Sequence, residues 1–332
     1  MTNSTTPVAA NASSDAAAAT AASLHESRFS VRWGVARVLG WMRLPKNFVL
    51  LGLILLAPAL ILRIFTSVYP FFATAWTSFT NSSAYVAEPH FVGFENYVAI
   101  FDNPSSRSAL IFTITFAVVS TALELVIGFG LALLLNARFR LRGLGRALVL
   151  LPWAIPAIVS ALGFRFIFAD GSGLVPTFLA WFGVDIAWLT DPFWAQVAVI
   201  LANVWRSVPF IAFVVLAGLQ GVPDELYEAA RVDGAGWWRT HLQIVLPLVM
   251  PVLITMGVFM VIFQIGTFDT ILGMTGGGPG SATQVIPYLA YQDAFIGLNY
   301  GRSSALAMIL FLIVLAVGVI ALGRFRRAEV ES

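Results

Sequence analysis

Six long apolar segments recur along the chain, separated by shorter and more polar stretches. Each is long enough for the about 20 residues that an α-helix needs to cross a bilayer. The segments cover residues 48–70, 109–136, 144–168, 193–219, 248–272 and 303–323. The first reaches Phe79 if its weaker end is included, which predicts a tilted helix. The pattern therefore predicts an all-α integral membrane protein with six transmembrane helices.

Prolines interrupt these apolar segments at several places. They are Pro58, Pro152, Pro156, Pro209 and Pro251. Proline removes a backbone donor and kinks a helix. A membrane helix tolerates this where neighbouring helices or water satisfy the freed carbonyl groups. We therefore expect kinked or broken helices, a feature common in the cores of transport proteins.

Three segments flank the apolar core. Residues 1–27 are mainly Ala, Ser and Thr and are predicted to be a disordered tail, because they cannot bury enough apolar surface to offset the entropy of ordering. They lack the basic start and apolar stretch of a signal peptide. Residues 28–47 form a basic segment, and its charges do not fall on one helical face. Residues 326–332 are expected to be a short tail, which leaves 48–325 as the membrane domain.

The positive charges predict the orientation in the membrane. Fourteen of the nineteen Lys and Arg residues flank the segments on one side. They are Arg28, Arg32, Arg37, Arg43, Lys46, Arg138, Arg140, Arg142, Arg146, Arg231, Arg239, Arg324, Arg326 and Arg327. The alternate loops hold Arg107 and, at the edge of the last span, Arg302. Because basic residues stay in the cytoplasm, both termini are predicted to be cytoplasmic.

Composition supports a membrane protein and excludes several activities. Hydrophobic residues make up 59% of the 332 residues and charged ones 11%, with a mean hydropathy of +0.86. There is no cysteine, so thiolate catalysis and cysteine-bound metals are excluded. The three histidines lie far apart, and the single lysine, Lys46, is followed by Asn47 and so forms no phosphate-binding Walker loop. No enzyme activity, metal or cofactor is predicted. Nucleic-acid binding is not expected either, because the basic residues are membrane flanks.

Five ionisable residues remain in or near the apolar segments: Arg63, Glu124, Arg165, Arg206 and Asp269. Charges inside a membrane are costly and often functional. They can also pair with one another or extend toward water as structural groups. The sequence leaves both interpretations open, and favours function slightly at Arg206, which has polar neighbours at Asn203 and Ser207.

The loop at residues 220–247 lies on the predicted cytoplasmic side and is its most acidic segment. Pro223 suits the first turn of a helix, and Asp224 and Glu225 complement its positive end. Gly234 and Gly236 can end that helix in the left-handed conformation. A second helix, 237–245, is predicted to stop before Pro247. On the residues alone, an amphipathic hairpin at the lipid surface and a docking element for another protein are about equally supported.

This loop resembles the EAA loop of bacterial ABC importer permeases. The resemblance is carried by Glu228, Ala229, Ala230, Asp233, Gly234, Ile244, Leu246 and Pro247 at the family spacing. It implies the six-helix, MetI-like permease fold. It also implies that this loop inserts into a groove on an ATP-hydrolysing subunit, with Glu228 as an acidic contact and Gly234 as the turn between two short helices.

A second motif is similar to the carbohydrate branch of that family, the maltose-transporter type. Phe268-Asp-Thr-Ile271 leads into Met274-Thr-Gly-Gly-Gly-Pro279 and then Thr283. Asn203-Val-Trp-Arg-Ser-Val-Pro-Phe210 also resembles this branch. The likeness covers about residues 48–325, but the extra N-terminal spans and the large periplasmic insertion of some maltose permeases are absent. The resemblance implies import of a sugar, such as a maltose- or trehalose-type di- or oligosaccharide.

The resemblance also implies a set of partners in the cytoplasmic membrane of a bacterium or archaeon. They are a second homologous permease subunit, two cytoplasmic ABC ATPase subunits and an extracytoplasmic solute-binding protein. ATP would bind to the ATPase partner and not to this chain. Closure of the ATPase pair would move the loop and thereby the spans, and the loop must contact the two ATPase states differently for coupling to occur.

The fifth segment offers candidate sugar contacts. Residues 264, 267 and 268 share one helical face by their spacing. By the match of the motif at Gly276–Pro279, the resemblance places Phe263, Gln264 and Thr267 at positions that contact sugar in maltose-type permeases. The predicted substrate path comprises Phe263, Gln264, Thr267, Phe268, Asn203 and Trp205. The alternative is structural, with the Phe rings packed against helices and Gln264 bonded to a neighbouring backbone.

Two other functions remain open from the sequence. One is an ABC permease for another solute, such as glycerol phosphate. The other is a secondary transporter driven by an ion gradient, which would use Glu124 and Asp269 as ion sites but would leave the EAA loop unexplained. A passive channel or a structural membrane protein would leave both motifs unexplained.

Overall fold

The computed structural model describes residues 48–137 and 140–331, and these residues form α-helices joined by short loops. The predicted tail 1–27 and basic segment 28–47 lie outside the described residues. Within the described ranges, β structure is limited to two isolated bridges, Thr80 with Phe91 and Ser83 with Asn299. The all-α fold class predicted from the sequence is confirmed.

The chain divides into two compact units, of which the first ends at Pro70. Its described part is α1 (Phe48–Arg63) followed by a π-helical stretch (Ile64–Val68). The next helix is α2 (Tyr69–Thr77). Residues Gly52–Thr77 are long and apolar enough to cross a membrane. The longer form of the first predicted span is therefore the one observed.

The remaining helices belong to the second unit. They are α3 (Glu95–Asp102), α4 (Pro104–Asn136), α5 (Arg142–Ala154), α6 (Ala157–Ile167), α7 (Leu174–Ala180), α8 (Pro192–Leu219), α9 (Asp224–Val232), α10 (Trp237–Arg239), α11 (Leu246–Ile265), α12 (Asp269–Met274), α13 (Ile286–Phe295) and α14 (Tyr300–Glu331). In the described part of the chain, five helices are apolar and long enough to span a membrane, or six if the bent pair α5 and α6 forms one span. The predicted number of spans is reached only with that pair. The last helix also continues past the predicted end at 323.

The predicted third span, 144–168, is broken, which is one of the two outcomes expected from its prolines. It consists of α5 and α6, which meet at an angle of 90°. Ile155, between them, has extended backbone angles (φ −74°, ψ 133°). The cause is Pro156, since a proline disfavours helical geometry in the residue before it and has no N–H to continue the ladder.

The predicted boundaries of the fifth span, 248–272, are wrong at both ends. The helix starts at Trp237, runs through a π-helical stretch (Thr240–Val245) and ends at Ile265. The loop's second helix therefore does not stop before Pro247, because this proline falls in the first turn of α11, where its missing N–H is not needed. At the other end Gly266 breaks the helix, and the chain restarts as α12 at Asp269.

Two of the spans begin with the same local signal. Asn103 Oδ1 accepts hydrogen bonds from the backbone N–H groups of Ser105 and Ser106 at 2.9 and 3.2 Å. Asp191 Oδ1 accepts from the N–H groups at 193 and 194 at 2.9 and 3.0 Å. In both cases a proline follows the cap, where helices favour it. This signal starts the second span at Pro104, five residues before the predicted 109.

The core of the second unit lies between α4, α8 and α11, each of which packs against the other two. Ala132, Ile211, Val215 and Met256 are among the buried residues between them. A Cβ atom on Gly128 would lie 2.7 Å from Ile211 Cγ2, so the glycine lets the two helices approach closely. These three helices therefore form a fixed frame for the polar side chains described below.

A polar clamp joins α4, α13 and α14 at the end of the bundle remote from loop 220–247. The Arg302 guanidinium donates to Asp293 Oδ1 at 3.1 Å and to Ser106 Oγ at 2.8 Å. Burial raises the pKa of Asp293 above its ordinary 3.8, and Arg302 opposes part of that rise. A carboxyl group with a raised pKa stabilises the fold most below its ordinary pKa, and this contribution is lost as the pH rises through the folded-state value.

The clamp gives a pH-dependent prediction. Between pH 4 and pH 7, the melting temperature of the detergent-solubilised protein should fall relative to that of Asp293→Asn, which stays neutral and still accepts from Arg302. The two melting temperatures should diverge by on the order of 2–4 °C for each kcal/mol of stability that ionisation of Asp293 costs. Parallel melting curves of the two proteins across this pH range would contradict the prediction.

Candidate functional site

The first helix of loop 220–247 is closed by a Schellman turn. In α9 the N–H of Ala235 bonds to the carbonyl of Ala230 at 2.9 Å, and the N–H of Gly234 to that of Arg231 at 3.1 Å. Gly234 has φ +71°, a conformation that only glycine adopts freely. Gly236, by contrast, has φ −68°, so the prediction of a left-handed conformation there is wrong. It precedes α10 in extended geometry.

Helix α9 packs on the π-helical stretch that leads into α11. Ala230, Thr240 and Val245 are buried in this contact region. The rings of Tyr227 and His241 lie 6.2 Å apart, and His241 stacks on Trp237 at 4.3 Å. Burial raises the pKa of Tyr227, and the negative charge of Asp224 raises it further. The loop is thus a folded unit with a defined outer surface.

The residues predicted to couple to an ATPase separate into two groups. Those exposed on the loop are Glu228, Ala229, Asp233, Gly234 and Pro247, whereas Ile244 and Leu246 are partly buried and Ala230 is buried. Glu228 and Ala229 therefore present a small, acidic and accessible surface on α9. The buried members hold α9 against the helix behind it. This arrangement is compatible with docking, which remains a prediction.

The glycine-rich motif forms a compact turn between α12 and α13. Gly276 and Gly277 have φ +58° and +83°. Thr283 Oγ1 donates to the carbonyl of Gly278 at 2.7 Å and lies 2.7 Å from Thr275 Oγ1. Thr275 and Thr283 thus hold the turn together, which gives both threonines a structural role.

A buried polar junction lies where α4, α8 and α11 meet. Glu124, Asn203 and Gln264 are 0%, 0% and 1% exposed. Glu124 Oε1 accepts from Asn203 Nδ2 at 3.2 Å and from Gln264 Nε2 at 2.6 Å. One carboxylate oxygen therefore links three spans. Sequence reasoning singled out all three residues but gave no indication that they meet, because nothing in the pattern pairs residues 79 and 140 positions apart.

Polar atoms without a partner surround this junction. Within the described residues, Ser120 Oγ, Thr121 Oγ1, Asn203 Oδ1 and Arg206 Nε are buried without a hydrogen bond. The Arg206 guanidinium interacts electrostatically with Glu124 and Asp269. Burying polar groups costs free energy unless they find partners or water. The spans therefore carry a costly polar centre at this depth.

The predicted substrate-path residues do not share one environment. Asn203 and Gln264 face the interior junction, whereas Phe263 and Trp205 are exposed. Thr267 and Phe268 are partly exposed, and Thr267 Oγ1 donates to the carbonyl of Phe263 at 3.2 Å. In this conformation the amides of Asn203 and Gln264 support the spans rather than line an open surface. Phe263 and Trp205 are accessible.

The other intramembrane charges differ from Glu124. Arg63 and Arg165 are exposed, as is Asp269. No group of three or more His, Cys, Asp or Glu residues in the described ranges could hold a metal ion. The chemistry that the described residues offer is hydrogen bonding and aromatic contact.

Known proteins are similar to this chain in sequence and in fold. Residues 124–327 match the family model described as "Binding-protein-dependent transport system inner membrane component". The chain is 38% identical over 280 residues to the trehalose/maltose transport system permease protein MalF of Thermococcus litoralis, covering 83% of this chain and 95% of that protein. It is also 38% identical over 282 residues to the sulfoquinovosyl glycerol transport system permease protein SmoG of Agrobacterium fabrum, covering 84% and 92%.

A solved structure shows the same fold. It is a bacterial ABC transporter involved in the import of the acidic polysaccharide alginate, with a TM-score of 0.73 at 24% identity. The match covers 86% of this chain and 98% of that one. At this identity the likeness concerns the fold alone.

Proposed function

The chain belongs to the family of binding-protein-dependent transport system inner membrane components, and from this premise we propose that it forms half of the translocation pathway of a sugar importer. It lies in the cytoplasmic membrane as a multi-pass protein. The proposed substrate is a di- or oligosaccharide of the trehalose or maltose type, the class that the name of the Thermococcus relative gives. We propose that both termini are cytoplasmic, an orientation supported by the distribution of basic residues.

The proposed complex contains a second permease chain, two ATPase subunits and a solute-binding protein on the opposite side of the membrane. Uphill transport needs an energy source, and the sequence contains no phosphate-binding Walker loop. The ATPase pair would supply that energy through loop 220–247. The chain itself would bind no ATP, metal or cofactor.

The observation that carries the proposal is the shape of the loop. Helix α9 presents the exposed Glu228 and Ala229 on one side, while its other side is held against the start of the helix that runs from Trp237 to Ile265. A force applied to α9 would therefore reach the spans directly. The loop also exposes Val232, Trp237 and Trp238, so it is the accessible acidic side chain of Glu228, held on a folded helix, that favours docking over an amphipathic hairpin lying on lipid.

Uptake of radiolabelled sugar into proteoliposomes that hold the whole transporter tests the proposal. Maltose, trehalose, longer oligosaccharides and glycerol phosphate would be compared, with and without ATP. We expect ATP-dependent uptake of one sugar that is lost in Glu228→Ala, while the matched control Glu225→Ala on the same helix keeps most activity. Uptake driven by a proton or sodium gradient without ATP would instead identify a secondary transporter, and uptake of glycerol phosphate alone would replace the sugar as substrate.

A further inference from the structure

An apolar groove with a volume of about 950 Å³ lies between α4, α11 and α14. Its walls include Val126 on α4, Ile254 on α11 and Ile320 on α14, which are 72%, 50% and 62% exposed. Every described residue that lines the groove is apolar. Pockets that bind small molecules have volumes of about 300–1,000 Å³ and mainly apolar walls. The groove is therefore large enough to hold a molecule, and its walls favour one with a long apolar part.

The groove lies in the half of the membrane on the side of loop 220–247. Leu242, in the π-helical stretch that joins the loop to α11, is one of its lining residues, and Ala321 on α14 is another. Ala321 comes 21 residues after the start of α14 at Tyr300, or about 31 Å at 1.5 Å per residue. This is close to the about 30 Å thickness of the hydrocarbon layer. The lower end of the groove is therefore at the level of the lipid head groups on the loop side.

Two tryptophans and an arginine lie at this end of the groove. Trp237 and Trp238 are 54% and 71% exposed, and tryptophan concentrates at the level of the head groups. Arg239 is also exposed, and its Nε donates to the neutral Oε1 of Gln243 at 3.1 Å. It comes three residues before Leu242 of the groove, or about 5 Å along the helix axis. A positive charge thus lies where the phosphate of a lipid would be if its acyl chains filled the groove.

The helix on the other side of the groove adds basic residues at the same level. Arg324, Arg326 and Arg327 follow Ala321 within two helical turns, and α14 continues beyond them to Glu331. Basic residues between helices on the cytoplasmic side of a membrane bind anionic lipid head groups. The distribution of charge around the groove therefore favours an anionic lipid over a neutral one.

A helix of a neighbouring subunit is the other occupant that an apolar groove in a membrane can have. Helices that pack against each other in lipid bring small residues to the contact. The walls of this groove are mainly large side chains. Its glycine, Gly257, already serves a contact within the chain, because a Cβ atom there would lie 3.2 Å from Leu125 Cδ1. Such an uneven surface suits flexible acyl chains better than a second helix.

We propose that the groove and Arg239 form a binding site for an anionic phospholipid of the leaflet on the loop side. The acyl chains would lie between α4, α11 and α14, and the phosphate would bind to Arg239. Leu242 and Leu246 line the groove and belong to the helix on which α9 packs. A bound lipid would therefore support the part of the helix that holds α9 in place.

Native mass spectrometry of the detergent-purified complex, titrated with phosphatidylglycerol or phosphatidylcholine, tests the site. We expect Arg239→Gln to lower the affinity of the tightest-bound phosphatidylglycerol about fivefold, the factor for one basic residue near a head group, and Arg239→Lys to retain it. Ile254→Trp fills the groove and should lower this affinity by about tenfold or more. Two controls should bind like the wild type. They are Arg231→Gln, at an exposed arginine on α9, and Leu315→Trp, at a residue of α14 that is 47% exposed and does not line the groove.

Thermal unfolding provides a second measurement. Phosphatidylglycerol should raise the melting temperature of the wild type more than that of Ile254→Trp, because a ligand that binds only the folded state stabilises it. Equal shifts in the two proteins would overturn the site.

Two further results would overturn the proposal. If both lipids bind the wild type equally tightly, or if Arg231→Gln weakens binding as much as Arg239→Gln, Arg239 does not recognise the head group. If a photoreactive amino acid at position 254 crosslinks to the second permease chain and not to lipid, a helix fills the groove. All these measurements report on lipid binding and not on transport, so their results do not depend on which solute the complex carries.

Discussion

Sugar uptake by Gly234→Val is expected to fall about tenfold or more, although the protein still reaches the membrane. Gly234 has φ +71°, and a Cβ there would meet nothing within 4 Å. The effect of valine is therefore conformational and not a clash. Forcing an L-residue into the left-handed region costs about 1–2 kcal/mol, and β-branching adds to that cost, so the Schellman turn becomes a minor conformation. Without the turn, α9 no longer presents Glu228 in its present place.

Asparagine provides the matched control for this position. It tolerates the left-handed conformation better than other side chains, so Gly234→Asn should retain most of the uptake. ATP hydrolysis would be measured with transport, because loss of coupling lowers the sugar carried per ATP consumed. Equal uptake by Gly234→Val and wild type would show that the turn has no role in coupling.

Glu124→Ala is expected to cause a large loss of stability. It removes the acceptor shared by Asn203 and Gln264 and leaves two buried amides unpaired. Each unsatisfied buried group costs about 1–3 kcal/mol, and the cavity adds to this. The melting temperature in detergent should therefore fall by roughly 10 °C, at about 2–4 °C for each kcal/mol. The melting temperature is measured by size-exclusion chromatography of samples heated to a series of temperatures.

Two variants show whether the cause is the missing acceptor. Glu124→Gln keeps an oxygen that can accept both amide N–H groups, so its melting temperature should stay well above that of Glu124→Ala. Combining Glu124→Leu with Asn203→Leu and Gln264→Leu removes the partners together, and this should recover much of the loss, since replacing a whole polar set by apolar groups of similar size is nearly neutral. A triple variant as unstable as Glu124→Ala would refute this account.

Sequence patterns predicted those parts of the fold that depend on local chemistry. The apolar segments were predictable because a helix needs a fixed length to cross lipid. The positive φ of Gly234 was predictable because a glycine that directly follows a helix commonly ends it in the left-handed conformation. Pro156 shows the limit of such patterns. Both a kink and a break were compatible with the sequence, and the 90° bend between α5 and α6 depends on what packs around it.

The candidate site was predictable in part for the same reason. Residue type and spacing singled out Asn203 and Gln264 as polar groups in the membrane. Whether such a group contacts a substrate or bonds to a neighbouring helix depends on its burial, which the sequence does not give. Their common partner, Glu124, lies on a different helix, and no periodicity connects the three. The stacking of Trp153 on Phe210, with ring centroids 5.5 Å apart, was not predicted, because aromatic residues are ordinary in spans and only the tertiary arrangement brings these two rings together.

The continuous helix from Trp237 to Ile265 has a mechanical consequence. Its 29 residues make a rod about 43 Å long at 1.5 Å per residue. Helix α9 of loop 220–247 adjoins one end, and Phe263 and Gln264 lie close to the other. In a rod of that length, a tilt of about 10° at one end displaces the other by about 7 Å. A small tilt imposed at the loop would thus displace the far end of the helix by about the width of a sugar ring, without any relay of side chains between the two ends.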